Sequence, residues 1–292
     1  MKTGFSIESL RSTLIRQAYY ITGSMDDAED VVHDAYLQWS TLDIQHIKNP
    51  QAYLMRIVTN MAINLKEKLK RQRAAYFGQW LPEPVSDSSD KLAAGKDSLS
   101  YSLLVLLESL SAKERAVFIL REAFGYEHHE IGQVLEIAEV YSRKLLSRAK
   151  ARLATDKRQP VSLEQQQAFL ERFLQAIWSG DTSQVEALLR EDATVISDGG
   201  GKVPAGKHPV TGRLSIAKML TGLYRKFYRD ALAEPLIING QPAILYWKDD
   251  ILVNCQIFDI NAAGISNVYF VRNPDKLNRL AEKKPRPMSR IP

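Results

Sequence analysis

The 292-residue sequence contains a single cysteine, Cys255, so no intramolecular disulfide can form; this suits a reducing compartment. It lacks any run approaching the roughly 18 apolar residues of a membrane span. The N-terminal stretch meets Glu8, Arg11 and Arg16 too early for a secretory signal. The expectation is a cytoplasmic protein with no membrane partner. Charge of one sign is not in large excess: the net charge of +5 is a mild basic bias that permits nucleic-acid binding without requiring it. Metal-ligand spacing is also missing. His128, His129 and Glu130 are adjacent, and neighbours on a helix point about 100° apart, which makes a poor chelate. No metal, no cofactor and a surface position for these three residues are expected. Hydrophobic content of 45% and charged content of 25% are ordinary for globular protein, and the length allows two or three modest domains.

What is present is concentrated between Leu110 and Leu153. Ser111 followed by Glu114 is a capping box opening a helix that buries Ala116, Val117 and Leu120. Gly125 supplies a stop. A short helix from Glu127 to Leu135 offers Ile131, Val134 and Leu135 to the same core, and a turn near Glu136 to Ala138 leads to a third helix. On that helix Ser142, Leu145, Leu146, Ala149 and Leu153 share one side. Arg143, Lys144, Ser147 and Arg148 lie opposite, flanked by Lys150 and Arg152, with no acid from Arg143 to Arg152. A short helix, a tight turn and a basic helix with one apolar side describe a helix-turn-helix.

Upstream, Ile7 to Ile21 reads as an amphipathic helix ended by Gly23, and Ser24 starts a second that packs Ala28, Val31, Val32, Ala35 and Trp39. Asp26 and Asp27 suit a helix N-terminus, whereas Asp30 and Asp34 lie beyond the first turn and suit either solvent or a basic partner. Asn49-Pro50 opens a long helix to about Arg73 with Leu54, Val58, Met61, Leu65 and Leu69 as its apolar stripe. Lys66, Lys68, Lys70, Arg71 and Arg73 crowd its end, where they suit the helix dipole or phosphates. Asn60 and Asn64 put two amides on one face.

The runs SMDDAEDVVHDAYLQW, NPQAYLMRIVTNMAIN, LSAKERAVFILREAFGYEHHEIGQVL and SRKLLSRAKARL together resemble the extracytoplasmic-function (ECF) sigma factors of bacterial RNA polymerase. The resemblance implies two all-α sigma domains: region 2 over residues 1–75 and region 4, the helix-turn-helix, over 101–158. It implies RNA polymerase core and promoter DNA as partners. Asp26, Asp30, Val31, Asp34, Tyr36 and Trp39 become candidates for docking on the clamp helices of the polymerase. His46, Lys48, Tyr53, Arg56 and Asn60 become candidates for holding unstacked −10 bases. Ser142, Arg143 and Lys144 match base-reading positions for the −35 element, and Arg148, Lys150 and Arg152 suit phosphates. If about five phosphates are neutralised, log K falls with log salt at a slope of roughly −4 to −5. The chain departs from the family with Glu136 and Ile137 in the turn, where a small residue is common, and with Asn64, where many members have an acid.

Residues 76–100 form a linker. Its Ser/Asp/Lys-rich half reads as a tether, but Trp80, Leu81, Pro82, Glu83 and Pro84 are too stiff and apolar for one. From Ser162 onward the pattern changes to two helices, a strand, a further helix and a series of β-like runs, among them GGGKVPA. This order suggests an α+β cone over 160–281, similar to the SnoaL-like domain, with a basic tail at 282–292. Val195, Leu245, Trp247, Val253, Phe258 and Phe270 could line its pocket or fill it. The strings WLPEP, DGGGK (Asp198, Gly199, Gly200, Gly201, Lys202) and NPDKL (Asn273, Pro274, Asp275, Lys276, Leu277) resemble an ECF subgroup with a fused SnoaL-like domain. That resemblance implies regulation in cis through the linker, without a dedicated anti-sigma factor. Lys202 could pair with Glu83 or Asp275. The expected protein is therefore a transcription initiation factor, not an enzyme. A small-molecule ligand in the C-terminal domain is possible on sequence grounds. The competing reading is an isomerase or cyclase using Asp198 or Asp259 as base, near His208.

Overall fold

A computed structural model describes residues 7–42, 47, 49–72, 76, 78–87, 99–153 and 161–282. They form two compact units. One holds the described residues up to Gln72, with Leu99 and residues 103–153; the other holds 76, 78–87, 100–102 and 161–282.

The first unit is all helical. A 3-10 turn (Ile7–Leu10) leads into α1 (Arg11–Thr22), α2 (Met25–Ser40) and α3 (Pro50–Gln72), followed by α4 (Tyr101–Leu106), whose first two residues belong to the second unit, α5 (Ala112–Glu122), α6 (His128–Leu135) and α7 (Glu139–Leu153). Local chemistry sets these ends. Gly23 takes φ +82° to stop α1, and the Ser24 side chain accepts from the Asp27 N–H to start α2. Asn49 Oδ1 accepts from Ala52 N–H at 3.0 Å ahead of Pro50. Ser111 and Glu114 form the expected capping box. The buried face of α3 is rotated from the expected stripe: Leu54, Met55, Val58, Ala62 and Ile63 are buried, whereas Met61, Leu65 and Leu69 are half-buried.

Lys66 is also buried, so of its two expected roles, helix dipole or phosphate, the phosphate contact does not hold in this fold. Its Nζ donates to Thr22 O at 3.1 Å and to Glu108 at 2.7 Å. Arg115, fully buried, donates from Nε to Tyr20 O at 2.6 Å and pairs with the same carboxylate. One acid thus neutralises two cations inside the unit, tying α1 and α3 to α5.

The second unit contains α8 (Leu163–Ser179), α9 (Thr182–Leu188), β1 (Leu189–Asp198), β2 (Val210–Thr211), α10 (Arg213–Leu223), a π-helical turn (Tyr224–Tyr228), β3 (Leu232–Ile238), β4 (Gln241–Lys248), β5 (Ile251–Asn261), β6 (Gly264–Val271) and α11 (Pro274–Ala281). The strands form one sheet in the order β2-β1-β6-β5-β4-β3, antiparallel except for the β1–β6 pair. Helices α8 to α10 cover one face, with Phe173 edge-on to Phe258 at 4.9 Å and Tyr228 against Tyr246 at 4.5 Å. Val195, Phe258 and Phe270 belong to this core with Val253 at its margin, while buried Leu245 and Trp247 stand outside it. Val195, Phe258 and Phe270 thus fill the cone, and Leu245 and Trp247 do not contribute to that core. On the other face α11 packs on β5, and Tyr101 meets Tyr269 edge-on at 5.4 Å.

The GGGKVPA run, expected as a strand, is a turn. Gly200 and Gly201 take φ of +64° and +70°, and a methyl at Gly200 would press on the Asn273 side chain at 2.5 Å.

Candidate nucleic-acid interface and carboxylate cluster

On α2, Asp26, Asp30 and Asp34 are exposed at helical spacing, and Leu37, 54% exposed, continues the stripe. Tyr36 is half-buried. Val31 and Trp39, expected to dock on a partner, are buried at 4% and 7% exposure; Trp39 instead packs on Tyr53 with ring centres 5.9 Å apart. Their side chains point into the helical core, and those two expectations are corrected.

Tyr53, Arg56 and Asn60 line one cavity of about 240 Å³, together with Gln38, Ile57 and Asn64. The amide of Asn60 donates to Val134 O at 3.1 Å, and Arg56 pairs with Glu136 in the helix-turn-helix turn. Glu136 itself adopts φ +54°, the left-handed conformation that a glycine would take more easily. His46 and Lys48 lie outside the described residues.

In α7 the apolar side falls as expected, with Leu145, Leu146 and Ala149 buried. Ser142 is fully buried as well, its hydroxyl 2.9 Å from His128 Nδ1. It cannot meet a base edge from there, and His128 is not a surface residue; both expectations are corrected. Burial lowers the His128 pKa, with the Arg143 and Arg121 charges acting the same way. The exposed residues at the head of α7 are Glu139, Val140, Tyr141, Arg143 and Lys144. Val140 is 77% exposed. Arg148, Lys150 and Arg152 are exposed further along. Lys150 pairs with Glu122 and Arg152 with Glu114, each at 2.8 Å. Burial raises the Glu114 pKa, but hydrogen bonds from Ser111 and the Arg152 and Arg148 charges outweigh it and hold the carboxyl below its ordinary value.

In the second unit the three short motifs meet at Asp198, whose side chain is fully buried. Its Oδ1 accepts from the Tyr76 hydroxyl at 2.6 Å and Gly200 N–H at 2.9 Å; its Oδ2 accepts from Leu81 N–H at 2.9 Å and Lys276 Nζ at 2.6 Å. The Lys276 ammonium also donates to Leu81 O and sits 4.1 Å over the Trp80 ring. Asn273 caps α11 by accepting from Asp275 N–H at 3.2 Å, and its amide donates to the Tyr76 hydroxyl. Pro274 opens that helix, and Leu277 is buried. Lys202 takes the second of its two expected partners, Asp275, at 2.6 Å; Glu83 pairs with Arg279 at 3.2 Å. Leu81 to Ser86 are all buried, Pro82 and Pro84 included. Beyond them Val85 exchanges both backbone-side bonds with Asn239, and Ser86 bridges to Ile238. Sequence reasoning missed Tyr76, Asn239 and Arg279. The Asn239-Gly240 pair, a common turn dipeptide, is a signal that could have located one of them.

Among the described residues no helix is long and apolar enough to cross a membrane, and no three His, Cys, Asp or Glu side chains are grouped to hold a metal.

Family models for Sigma-70 region 2 and Sigma-70, region 4 match residues 7–72 and 100–153. The ECF RNA polymerase sigma factor SigJ of Mycobacterium tuberculosis is 32% identical over 228 residues, covering 75% of this chain and 72% of that protein. This chain belongs to the ECF RNA polymerase sigma factors. The probable ECF sigma factor SigI of the same organism is 24% identical over 281 residues, covering 92% of this sigma factor and 93% of its relative. The crystal structure of SigJ superposes with a TM-score of 0.77 at 28% identity, covering 93% of this chain and 96% of that one. The sigma factor therefore carries helical regions 2 and 4 and a SnoaL-like mixed-sheet domain, and it acts in transcription initiation with RNA polymerase and promoter DNA.

Proposed function

We propose that the α3 cavity receives an unstacked base of the −10 element, that the exposed head of α7 reads the −35 element, and that Asp26, Asp30 and Asp34 dock on the polymerase clamp helices. The cavity carries this reading. An aromatic ring, a guanidinium and an amide converge on about 240 Å³ at Tyr53, Arg56 and Asn60, and these are the groups that hold a base outside its stack. Arg56 and Asn60 exchange Glu136 and Val134 for DNA when the promoter enters. On α7, Arg143 and Lys144 face outward beside Val140 and Tyr141, which take the reading role that buried Ser142 leaves. Arg148, Lys150 and Arg152 meet phosphates.

The C-terminal domain acts in cis. Residues 76–87 lie between α3 and α4 in the chain, and the Asp198 cluster holds them, so they cannot serve as free tether between regions 2 and 4. Release of that segment changes the reach of region 4, and a separate anti-sigma factor is not needed for the restraint. The chain catalyses no bond-making step of its own. Both oxygens of Asp198 are saturated by donors, and Asp259, 3% exposed, is held by Gln241 and Asn267. Neither is placed to act as a base.

Permanganate footprinting at the promoter upstream of the gene tests the cavity. Tyr53→Ala, Arg56→Ala and Asn60→Ala should each reduce strand opening while leaving co-purification with core polymerase intact; Asp30→Lys with Asp34→Lys should abolish co-purification. Undiminished opening in all three cavity variants would sink the reading.

A further inference from the structure

The packed cone leaves a separate cleft on the outside of the C-terminal domain. It has a volume of about 660 Å³ and lies between the α8–α9 junction and the α10–π-turn segment, within the roughly 300–1,000 Å³ of small-molecule sites. It shares no residue with the Asp198 cluster. Its charge is of one sign: Lys218, Arg225 and Arg229 border it, and no acid does. None of the three has an ion-pair partner among the described residues. Asp181, next to the cleft, is committed elsewhere, its Oδ1 accepting from the Ser183 and Gln184 N–H groups at 3.0 Å to cap α9. The wall also holds Trp178, Tyr224 and the Thr182 and Thr221 hydroxyls, the last two 3.2 Å apart.

Two backbone features need a reason that the fold does not supply. Gly222 stands near the end of α10, where glycine weakens a helix relative to alanine. A Cβ there would meet nothing within 4 Å, so no neighbour demands its absence. What a side chain at 222 would do is occupy the cleft. Directly after it, Tyr224–Tyr228 forms a π-turn, a rare geometry frequent at functional sites, which contributes Tyr224 and Arg225 to the wall and ends just before Arg229.

We infer that this cleft binds an organic anion carrying a flat apolar ring. The cations and hydroxyls take the acidic group, Trp178 and Tyr224 take the ring, and Gly222 keeps the space open. The inference is independent of the reading of the Asp198 cluster.

The test uses the full-length protein and two fluorescent probes with the same ring system. These are 8-anilinonaphthalene-1-sulfonate, an anion, and N-phenyl-1-naphthylamine, its uncharged counterpart. The sulfonate should bind saturably at one site and about tenfold more tightly than the amine, as one charge-assisted contact implies. Gly222→Phe should remove that binding with an unchanged melting curve. Arg225→Gln with Arg229→Gln, at two exposed positions that the fold tolerates, should weaken the sulfonate about tenfold and leave the amine unaffected. Equal affinity for the two probes, or sulfonate binding untouched by either variant, would overturn the inference.

Discussion

Replacing Asp198 by asparagine keeps the volume of the side chain and exchanges one acceptor oxygen for an NH₂ donor. Both oxygens already face two donors: Tyr76 and Gly200 on one, Leu81 and Lys276 on the other. An NH₂ turned toward Leu81 and Lys276 meets two donors it cannot satisfy; turned the other way it can donate to the Tyr76 hydroxyl but leaves the Gly200 N–H unpaired, and in either case Lys276 loses its counter-charge. Removing one partner of a buried ion pair costs about 3–5 kcal/mol. The Lys276 side chain retains 12% exposure, so its ammonium can recover some hydration and the lower figure applies, about 3 kcal/mol. The segment 76–87 is the part that can leave without dismantling the sheet, so the loss should appear as local opening there, by a factor of about 10². Amide hydrogen exchange reads this directly. Leu81 N–H donates to Asp198, Val85 N–H to Asn239 Oδ1 and Asp87 N–H to Ile237 O. All three should exchange about a hundredfold faster in Asp198→Asn, with β4 to β6 unchanged. Lys276→Met, which strands the fully buried carboxylate, should produce a larger effect. Unaltered protection at Val85 and Asp87, or a uniform fall across the sheet, would refute the reasoning.

Glu136→Gly should stabilise the helical unit by about 1 kcal/mol in urea denaturation, because it relieves a left-handed residue whose ion pair with Arg56 is too exposed to compensate; a lower midpoint would contradict this. Glu108→Gln removes the carboxylate shared by Lys66 and Arg115 and should cost about 3 kcal/mol or more in the same measurement, and a loss below about 1 kcal/mol would count against a structural role for the triad. The folded-state pKa of His128 is depressed, so the unfolded chain takes up a proton first. Stability should be level above the unfolded pKa of about 6.5 and fall as the pH drops below it. His128→Gln should lose that part of the pH dependence in thermal melts from pH 8 to 5, and an identical profile would exclude His128 as its source.

What could be read in advance was local. The Ser111–Glu114 box, the Asn49-Pro50 start and the apolar side of α7 each depend on residues within a few positions of one another, and all are present. The order of helices and strands in the C-terminal domain was legible for the same reason. Burial of individual polar residues was not. Ser142 lies on the apolar side of its helix, a fact visible in the sequence, yet it also stands at a position that resembles the family's base readers. Lys66 and His128 looked solvated because their partners, Glu108 and Ser142, lie 42 and 14 residues away. At the Asp198 cluster the three motifs were identifiable, but Tyr76 was not. A tyrosine in a polar linker carries no signal that its hydroxyl will meet a carboxylate 122 residues further on. The parallel β1–β6 pairing is equally non-local.

Run-off transcription with core polymerase, on the promoter upstream of the gene, tests the central claim most directly, with the wild-type protein and Asp198→Asn compared side by side. The account predicts a transcript that requires the protein and a yield that differs several-fold between the two forms. No transcript, together with no binding to core, would contradict the promoter-recognition assignments, and equal yields from both proteins would contradict control through the Asp198 cluster.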